Sequence, residues 1–558
     1  MSAIQRRPAI FAAILLAACM LFAERSLAQD ETPATANRPS AQGETAPLAS
    51  PVPPDQLANH CPADLKMPLT HANWTGWSAD SANTRFQPAR QAGISAAQLA
   101  HLKLKWAFGI PNVRSVRSQP VIYDGRIYVG GLDGTVYSLD ANTGCTFWAT
   151  KGKPVRSGLV IGIVGSSDAV LYGDAAGGVY ALDAKSGHLL WHTQADPHPA
   201  AIITGTPTYF EGRLYVPVSS SEEQSRRRPD YECCTFRGSV VALNAETGRI
   251  LWQTYMAPEM PSPQGKTPAG KTAYGPSGMA IWSSPTIDAA KGRIYVGTGD
   301  NYSEPKTPTS DAVVALDLKT GKSLWSTQFD KEDVYKIDCG VPPREGCSPP
   351  TNPEFDLGAS PILVSLPHGK RVLLLGQKSG MVYAVDPDDK GKLLWHVRAG
   401  AGGLLGGVQW GMATDGKKLF VAVSDLAFQG RGPDPTKGGG ISAYRVSDGK
   451  LLWHTPPPGC GDRRPCSPAQ SQAITAIPGA VFSGSIDGHL RAYAAADGKI
   501  IWDFNTAQTF SSVNGVPAKG GSLDVGGPVV AGGIVAVVSG YPGFGAMPGN
   551  ALLVFSAQ

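Results

Sequence analysis

Cys233 and Cys234 stand side by side in YECCTFRG, residues 231–238. Neighbouring Cα atoms lie about 3.8 Å apart across a trans peptide, closer than the roughly 4.4 Å at which ordinary disulfides begin. The two sulfurs are therefore bonded to each other in a strained loop, or are separate thiols, or have different partners. Other residues with chemical capacity are spread along the chain. Glu222, Asp300 and Asp311 offer carboxylates, the hard oxygens of which calcium takes about six to eight. Arg114, Arg117 and Arg156 offer guanidinium forks suited to carboxylate anions, and Lys378 adds a compact cation.

These residues are positioned by a repeat. VYSLDANTGCTFW (136–148), VYALDAKSGHLLW (179–191), VVALNAETGRILW (240–252) and VVALDLKTGKSLW (313–325) are four clear copies. Related segments end at Trp395, Trp453 and Trp502. Each reads as strand, Asp/Asn and Gly turn, strand, with alternating apolar positions. A second strand pair precedes most of them, and four strands per unit mark a propeller blade. An eighth copy is split between NALLVFSAQ at the C-terminus and LKLKWAF around Trp106. The chain is therefore expected to be an all-β, eight-bladed β-propeller closed by pairing its two ends, which removes sheet edges. The tryptophans are read as packing between blades. Loops from the outer strand of one blade to the inner strand of the next share one face with loops joining second and third strands. The long insertions fall there, YECCTFRG among them, so function is sought on that face.

Composition narrows the class. A net charge of +4 in 558 residues argues for neither a nucleic-acid partner nor an acidic tail. Arg6 and Arg7, an apolar run from Ala9 to Ala23 and small residues ending at Ala28 form a secretory signal, 1–28. LAAC, 16–19, is a competing lipoprotein box that would anchor the chain at Cys19. Residues 29–60 read as a Pro, Ala and Thr-rich linker and 61–558 as the propeller. Removing Cys19 with the signal leaves eight of nine cysteines, an even number suited to an oxidising compartment. Cys339 with Cys347 and Cys460 with Cys466 look like local pairs. If Cys233 and Cys234 pair together, Cys61 and Cys145 remain as a tie between the N-terminal segment and the first blade. No C-x-x-C-H occurs, so no covalently attached c-type haem is encoded.

The repeat LDxxTGxxxW resembles that of the quinoprotein dehydrogenase superfamily, whose eight-bladed propellers hold pyrroloquinoline quinone (PQQ) on the axis. The resemblance covers about Trp74 to Gln558. The adjacent cysteines, with GTGDNYS, point to the branch that oxidises polyvinyl alcohol. The resemblance implies a Cys233–Cys234 disulfide over the quinone, with Trp282 as the floor beneath it. It implies cofactor contacts from Thr204, Ser220 or Ser221, Arg156 and Lys378. It implies calcium (Ca2+) bound by Glu222 and by Asp300 or Asn301, and Asp311 as catalytic base with Glu304 as rival. Arg117, in RSQP, stands where the alcohol dehydrogenases have a Glu, and Trp410 and Gln409 also face the cofactor or pack beside it.

The implied function is periplasmic oxidation of alcohols, secondary ones and polymers included, with electrons passing to a separate soluble cytochrome c. Two other readings stand beside it. A propeller of the outer-membrane assembly type would be a scaffold without a cofactor. A quinoprotein acting on a sugar or an aldehyde would keep the cofactor and change the substrate.

Overall fold

The computed structural model describes residues 49–65, 72–228, 230–267, 269–335, 354–430 and 432–557. Eight antiparallel sheets, each with four successive strands at its heart, follow one another along the chain. The first is built on Val121–Tyr123, Arg126–Gly130, Thr135–Asp140 and Thr146–Lys151. The eighth combines Val529–Ala531, Ile534–Ser539 and Ala551–Ala557 with Leu102–Gly109 from the other end of the chain. Pairing of Leu102–Gly109 with Ala551–Ala557 closes the ring, as the split repeat implies.

The repeat is a latch between blades. Asp140 Oδ1 accepts from the Thr143 amide at 2.6 Å and fixes the turn. Gly144 follows at φ +75°, and a Cβ there would lie 2.8 Å from the Trp106 ring of the preceding blade. Only glycine suits both the left-handed backbone and that contact. Trp106 in turn donates its indole N–H to Ala141 O at 3.2 Å. The same donation links Trp148 to Ala184, Trp191 to Ala245, Trp395 to Val446, Trp453 to Ala495 and Trp502 to Leu102. These tryptophans are structural, and six of them fasten a blade to its neighbour with both ring and polar tip, whereas Trp252 and Trp325 do so with the ring packed against Gly321 and Gly391.

The axis is plugged from within the chain. Carbonyls of Thr75, Ser81, Ala82, Thr84 and Arg85 accept amides from the inner strands of blades 2, 4, 5, 6 and 7 or the residues just before them. Trp74 exchanges two backbone bonds with Ile122 of blade 1, and Gln87 donates to Val530 O of blade 8. Arg85, fully buried, donates to Ile474 O, Gln119 Oε1, Thr475 Oγ1 and Trp77 O. This segment supports the loops that build the site.

The N-terminal boundary differs from the expected linker, 29–60. Ala49 is already buried, and Ser50–Pro51 adds a fifth strand to blade 1 against Lys151 and Thr150. Cys61 bonds to Cys145, so residues 49–60 belong with the propeller rather than with a linker. Backbone pairing and the disulfide compensate for the weak apolar content of that stretch.

Candidate active site

The loops that lead into the inner strands converge on one face. Thr204 and Thr206 precede Thr208–Phe210, Trp282 precedes Thr286–Asp288, and Asp356 precedes Ile362–Ser365. Trp77, Arg117, Thr204, Thr206, Trp282 and Trp410 line a common cavity. Trp282 and Trp410 meet edge to face, 4.8 Å between centroids. Gly358 touches the Trp282 indole so closely that any side chain would overlap it. The Trp77 indole N–H and the hydroxyls of Thr204 and Thr206 are buried with no protein partner.

A charged constellation stands over this floor. Lys378 Nζ lies 5.1 Å from the Trp282 ring centroid and donates to Glu354 Oε1 at 2.7 Å and Asp356 Oδ2 at 2.9 Å. Trp282 Nε1 donates to the same Asp356 oxygen at 3.1 Å, and the Asp300 amide donates to Asp356 Oδ1 at 2.9 Å. Asp300 Oδ2, Asp333 Oδ1, Glu354 Oε2 and both Asp311 oxygens are buried without hydrogen-bond partners. Burial, then Asp356, Glu223 and Asp333, push Asp300 well above the usual carboxylate range. Glu223 and Asp333 are each pushed up to about 7, burial being the main cause for both. Burial works against the Lys378 charge, but Asp356 and Glu354 outweigh it and hold the ammonium strongly protonated. The site is thus a concentration of carboxylates facing one lysine, a field that favours a cation and polar ligand groups.

The expected residues divide into two groups. Thr204, Trp282, Lys378, Arg117, Trp410 and Asp300 are brought together. Arg117 also lies 5.0 Å from the Tyr541 ring. Arg156 is half-buried, two residues before the cavity-lining Gly158. Cys233 and Cys234 are disulfide-bonded and buried beside Phe236, Ala280 and Tyr302, with Trp282 packed against that cluster. Cys460–Cys466 is formed, and Cys339 and Cys347 lie outside the described residues.

Glu222, expected to bind calcium, is turned the other way. Its carboxylate accepts from the Thr235 amide at 2.9 Å, the Phe236 amide at 2.8 Å and Tyr231 Oη at 2.9 Å. It therefore braces the cysteine loop, while the next residue, Glu223, interacts with Lys378 and Asp356. Ser220 and Ser221 are also diverted. Ser220 Oγ accepts the Glu222 amide, and Ser221 Oγ donates to Ala200 O. Asn301 is consumed as well: Nδ2 donates to Ser310 Oγ and Asp333 O, and Oδ1 accepts from Thr307. Asp311 is fully enclosed at φ +47°, and burial followed by Asp333 and Asp356 pushes its carboxyl well above the usual carboxylate range. Glu304 is exposed. Among the described residues, no group of three or more His, Cys, Asp or Glu side chains that could hold a metal ion is assembled.

Glu354 and Asp356 were not anticipated. The signal available was position: Asp356 stands four residues before Ser360-Pro361, as Trp282 stands shortly before Ser284-Pro285, at the same entry to an inner strand.

Comparison with known proteins shows the family. Residues 195–344 match the family model "Glucose/ethanol/alcohol dehydrogenase, beta-propeller domain". A polyvinylalcohol dehydrogenase from Pseudomonas sp. is 42% identical over 89% of this chain and 78% of its own length. The chain belongs to the PQQ-dependent alcohol dehydrogenase family. A second polyvinylalcohol dehydrogenase, from Sphingopyxis sp. (strain 113P3), is 40% identical over 87% of this alcohol dehydrogenase and 76% of the relative. The quinohemoprotein alcohol dehydrogenase structure from Comamonas testosteroni shares the fold, with a TM-score of 0.61 at 21% identity over 87% of this chain and 80% of that one. The model "Outer membrane protein assembly factor BamB" matches residues 76–225, 378–522 and 437–549 of this dehydrogenase, where the blade repeat is regular.

Proposed function

We propose that this dehydrogenase oxidises secondary alcohols, polyvinyl alcohol among them, with PQQ and calcium in the periplasm, and that a separate cytochrome c takes the electrons. The observation that carries the reading is the Lys378, Asp356 and Trp282 arrangement, a cation and two polar anchors over a flat indole. The residues present suit the cofactor: flat apolar surface from Trp282, cations from Lys378 and Arg117, and an unengaged hydroxyl at Thr204. PQQ, when bound, supplies an ortho-quinone that accepts hydride, and calcium polarises its carbonyl.

The chain's own contributions follow from the contacts. Trp282 would offer a flat surface to the cofactor and Lys378 would hold a polar oxygen of it, steered by Glu354 and Asp356. Arg117 and Thr204 receive anionic oxygens. Asp300 Oδ2 and Glu223 offer oxygens for calcium, replacing Glu222 and Asn301 in that role. Asp333 takes the hydroxyl proton: Oδ1 is unengaged, Oδ2 accepts the Phe355 amide at 2.7 Å, and the pKa of about 7 suits a base at neutral pH.

The polymer reading is supported by the two relatives named polyvinylalcohol dehydrogenase. Export is supported by the signal-like residues 1–28 and by the Cys61–Cys145 and Cys460–Cys466 disulfides. A cofactor-free scaffold would leave the buried Lys378 cluster without use. The test is to titrate purified apoprotein with PQQ, with and without calcium, and follow quinone absorbance and dye reduction by 2-propanol. Both components should be required, and activity that ignores either one rejects the proposal.

A further inference from the structure

Most exposed large apolar side chains lie on the outermost strands of the blades. Four instead stand in loops on the face that carries Lys378 and Trp282: Met260, Leu404, Phe428 and Phe544. Three of these are joined by their supports. Asp425 accepts from the amides of Ala401 at 2.7 Å, Gly402 at 3.0 Å and Gly407 at 2.8 Å, and so fixes the loop that presents Leu404. In the same loop Leu405 O accepts from Ser424 Oγ and from the Leu426 amide. The chain then enters the hairpin of Phe428–Gln429 and Gly432–Pro433, whose second strand packs on the turn Gly543–Gly545 that presents Phe544. Phe544 holds φ +57° and is 48% exposed, a backbone state bulky residues rarely adopt, spent on a ring in solvent.

Beneath this rim, Trp410 and Leu426 pack on Ala469, Val525, Tyr541 and Ala546. Trp410 meets Trp282. Apolar packing therefore runs from the floor of the site toward the rim. Residues 400–407 and 540–549 contain no charged side chain, Asp425 is turned inward onto amides, and in the Phe428 hairpin the carboxylate of Asp434 is turned onto the Thr436 amide.

We infer that Leu404, Phe428 and Phe544 form a strip that binds the uncharged aliphatic backbone of a long polyalcohol beside the carbinol undergoing oxidation. This rests on the alcohol oxidation proposed above. Charged polymers gain nothing from such a strip, whereas methylene groups flanking the reacting carbinol do.

The experiment uses the reconstituted holoenzyme, a dye acceptor, and two substrates, long-chain polyvinyl alcohol and 2-propanol. The variants are Phe428→Ser, Phe544→Asn, which tolerates left-handed backbone, and the pair together, each checked for an unchanged melting temperature. In the double variant kcat/KM for the polymer should fall about tenfold or more, mainly through KM, while 2-propanol stays within about twofold. Tryptophan fluorescence titrated with polyvinyl alcohol should show the same weakening. A wild type that oxidises 2-propanol but treats polymer no differently from the double variant overturns the strip alone. Loss confined to turnover with cytochrome c instead of dye overturns it in favour of an acceptor-docking surface. A wild type that oxidises no alcohol overturns the underlying reading.

Discussion

Lys378 Nζ stands 5.1 Å from the centroid of the Trp282 ring, and both side chains donate to the same oxygen, Oδ2 of Asp356. The lysine, the indole and the carboxylate are thus one unit. Lys378→Met keeps much of the volume but leaves Glu354 and Asp356 buried without their cation. Breaking a buried pair in this way costs about 3–5 kcal/mol. Urea unfolding of the apoprotein should show that loss, and cofactor-dependent turnover should vanish with it. Unchanged stability would mean that the ion pairs do not hold the site.

Glu222 and Glu223 should separate cleanly. Glu222→Gln removes a charged acceptor from the Thr235 and Phe236 amides, at a cost of about 1–3 kcal/mol, without directly altering the proposed calcium ligands. Glu223→Gln should leave the melting temperature near wild type at low pH, where the wild-type carboxyl is protonated, and should weaken calcium-dependent PQQ binding at neutral pH. Equilibrium dialysis with both variants decides, and a calcium defect confined to Glu222→Gln would reverse the assignment.

Stability of the apoprotein should fall as pH rises. Glu223 and Asp333 titrate near 7 in the folded chain, above the ordinary values of 4.5 and 3.8. The folded state therefore holds protons that the unfolded chain releases, and this contribution is present below about pH 4 and lost through about pH 7. Melting in the presence of a chelator should be lower at pH 8 than at pH 5, with PQQ and calcium narrowing the difference. A flat or rising profile would show that these carboxyls are not enclosed.

Arg85 joins the axial plug to blade 7 and, through Gln119, to the floor. Arg85→Met leaves several buried acceptors empty and should cost about 3 kcal/mol or more, read by denaturant unfolding. A loss below 1 kcal/mol would show that the plug is held by its backbone bonds alone.

The fold was legible because the turn, the glycine and the tryptophan of each blade serve one contact, so the repeat survives in the residues themselves. Trp282, Thr204 and Lys378 were named through the family resemblance of the stretches that carry them, and the structure brings them together. Glu222 and Glu223 were not separable. Adjacent residues on the short helix Glu222–Ser225 point about 100° apart, and only the surrounding amides show which carboxylate is engaged. Asp311 was implied as base by the family resemblance, and its enclosure, which raises its carboxyl above the usual range, is something no local pattern reveals. Glu354 and Asp356 follow a long stretch without repeat signal, and Lys378 alone shows their purpose.

The most direct test of the account is pre-steady-state mixing of PQQ- and calcium-loaded protein with 2-propanol and with its 2-deuterated form, following the quinone absorbance. The wild type should lose the oxidised band with a clear deuterium slowing. Asp333→Asn should bind the cofactor yet react about 10² to 10⁴ times more slowly, and Asp311→Asn should stay close to wild type. A loaded wild type whose quinone band is indifferent to the alcohol would contradict the account. If Asp311→Asn instead abolishes the reaction and Asp333→Asn does not, the base is Asp311.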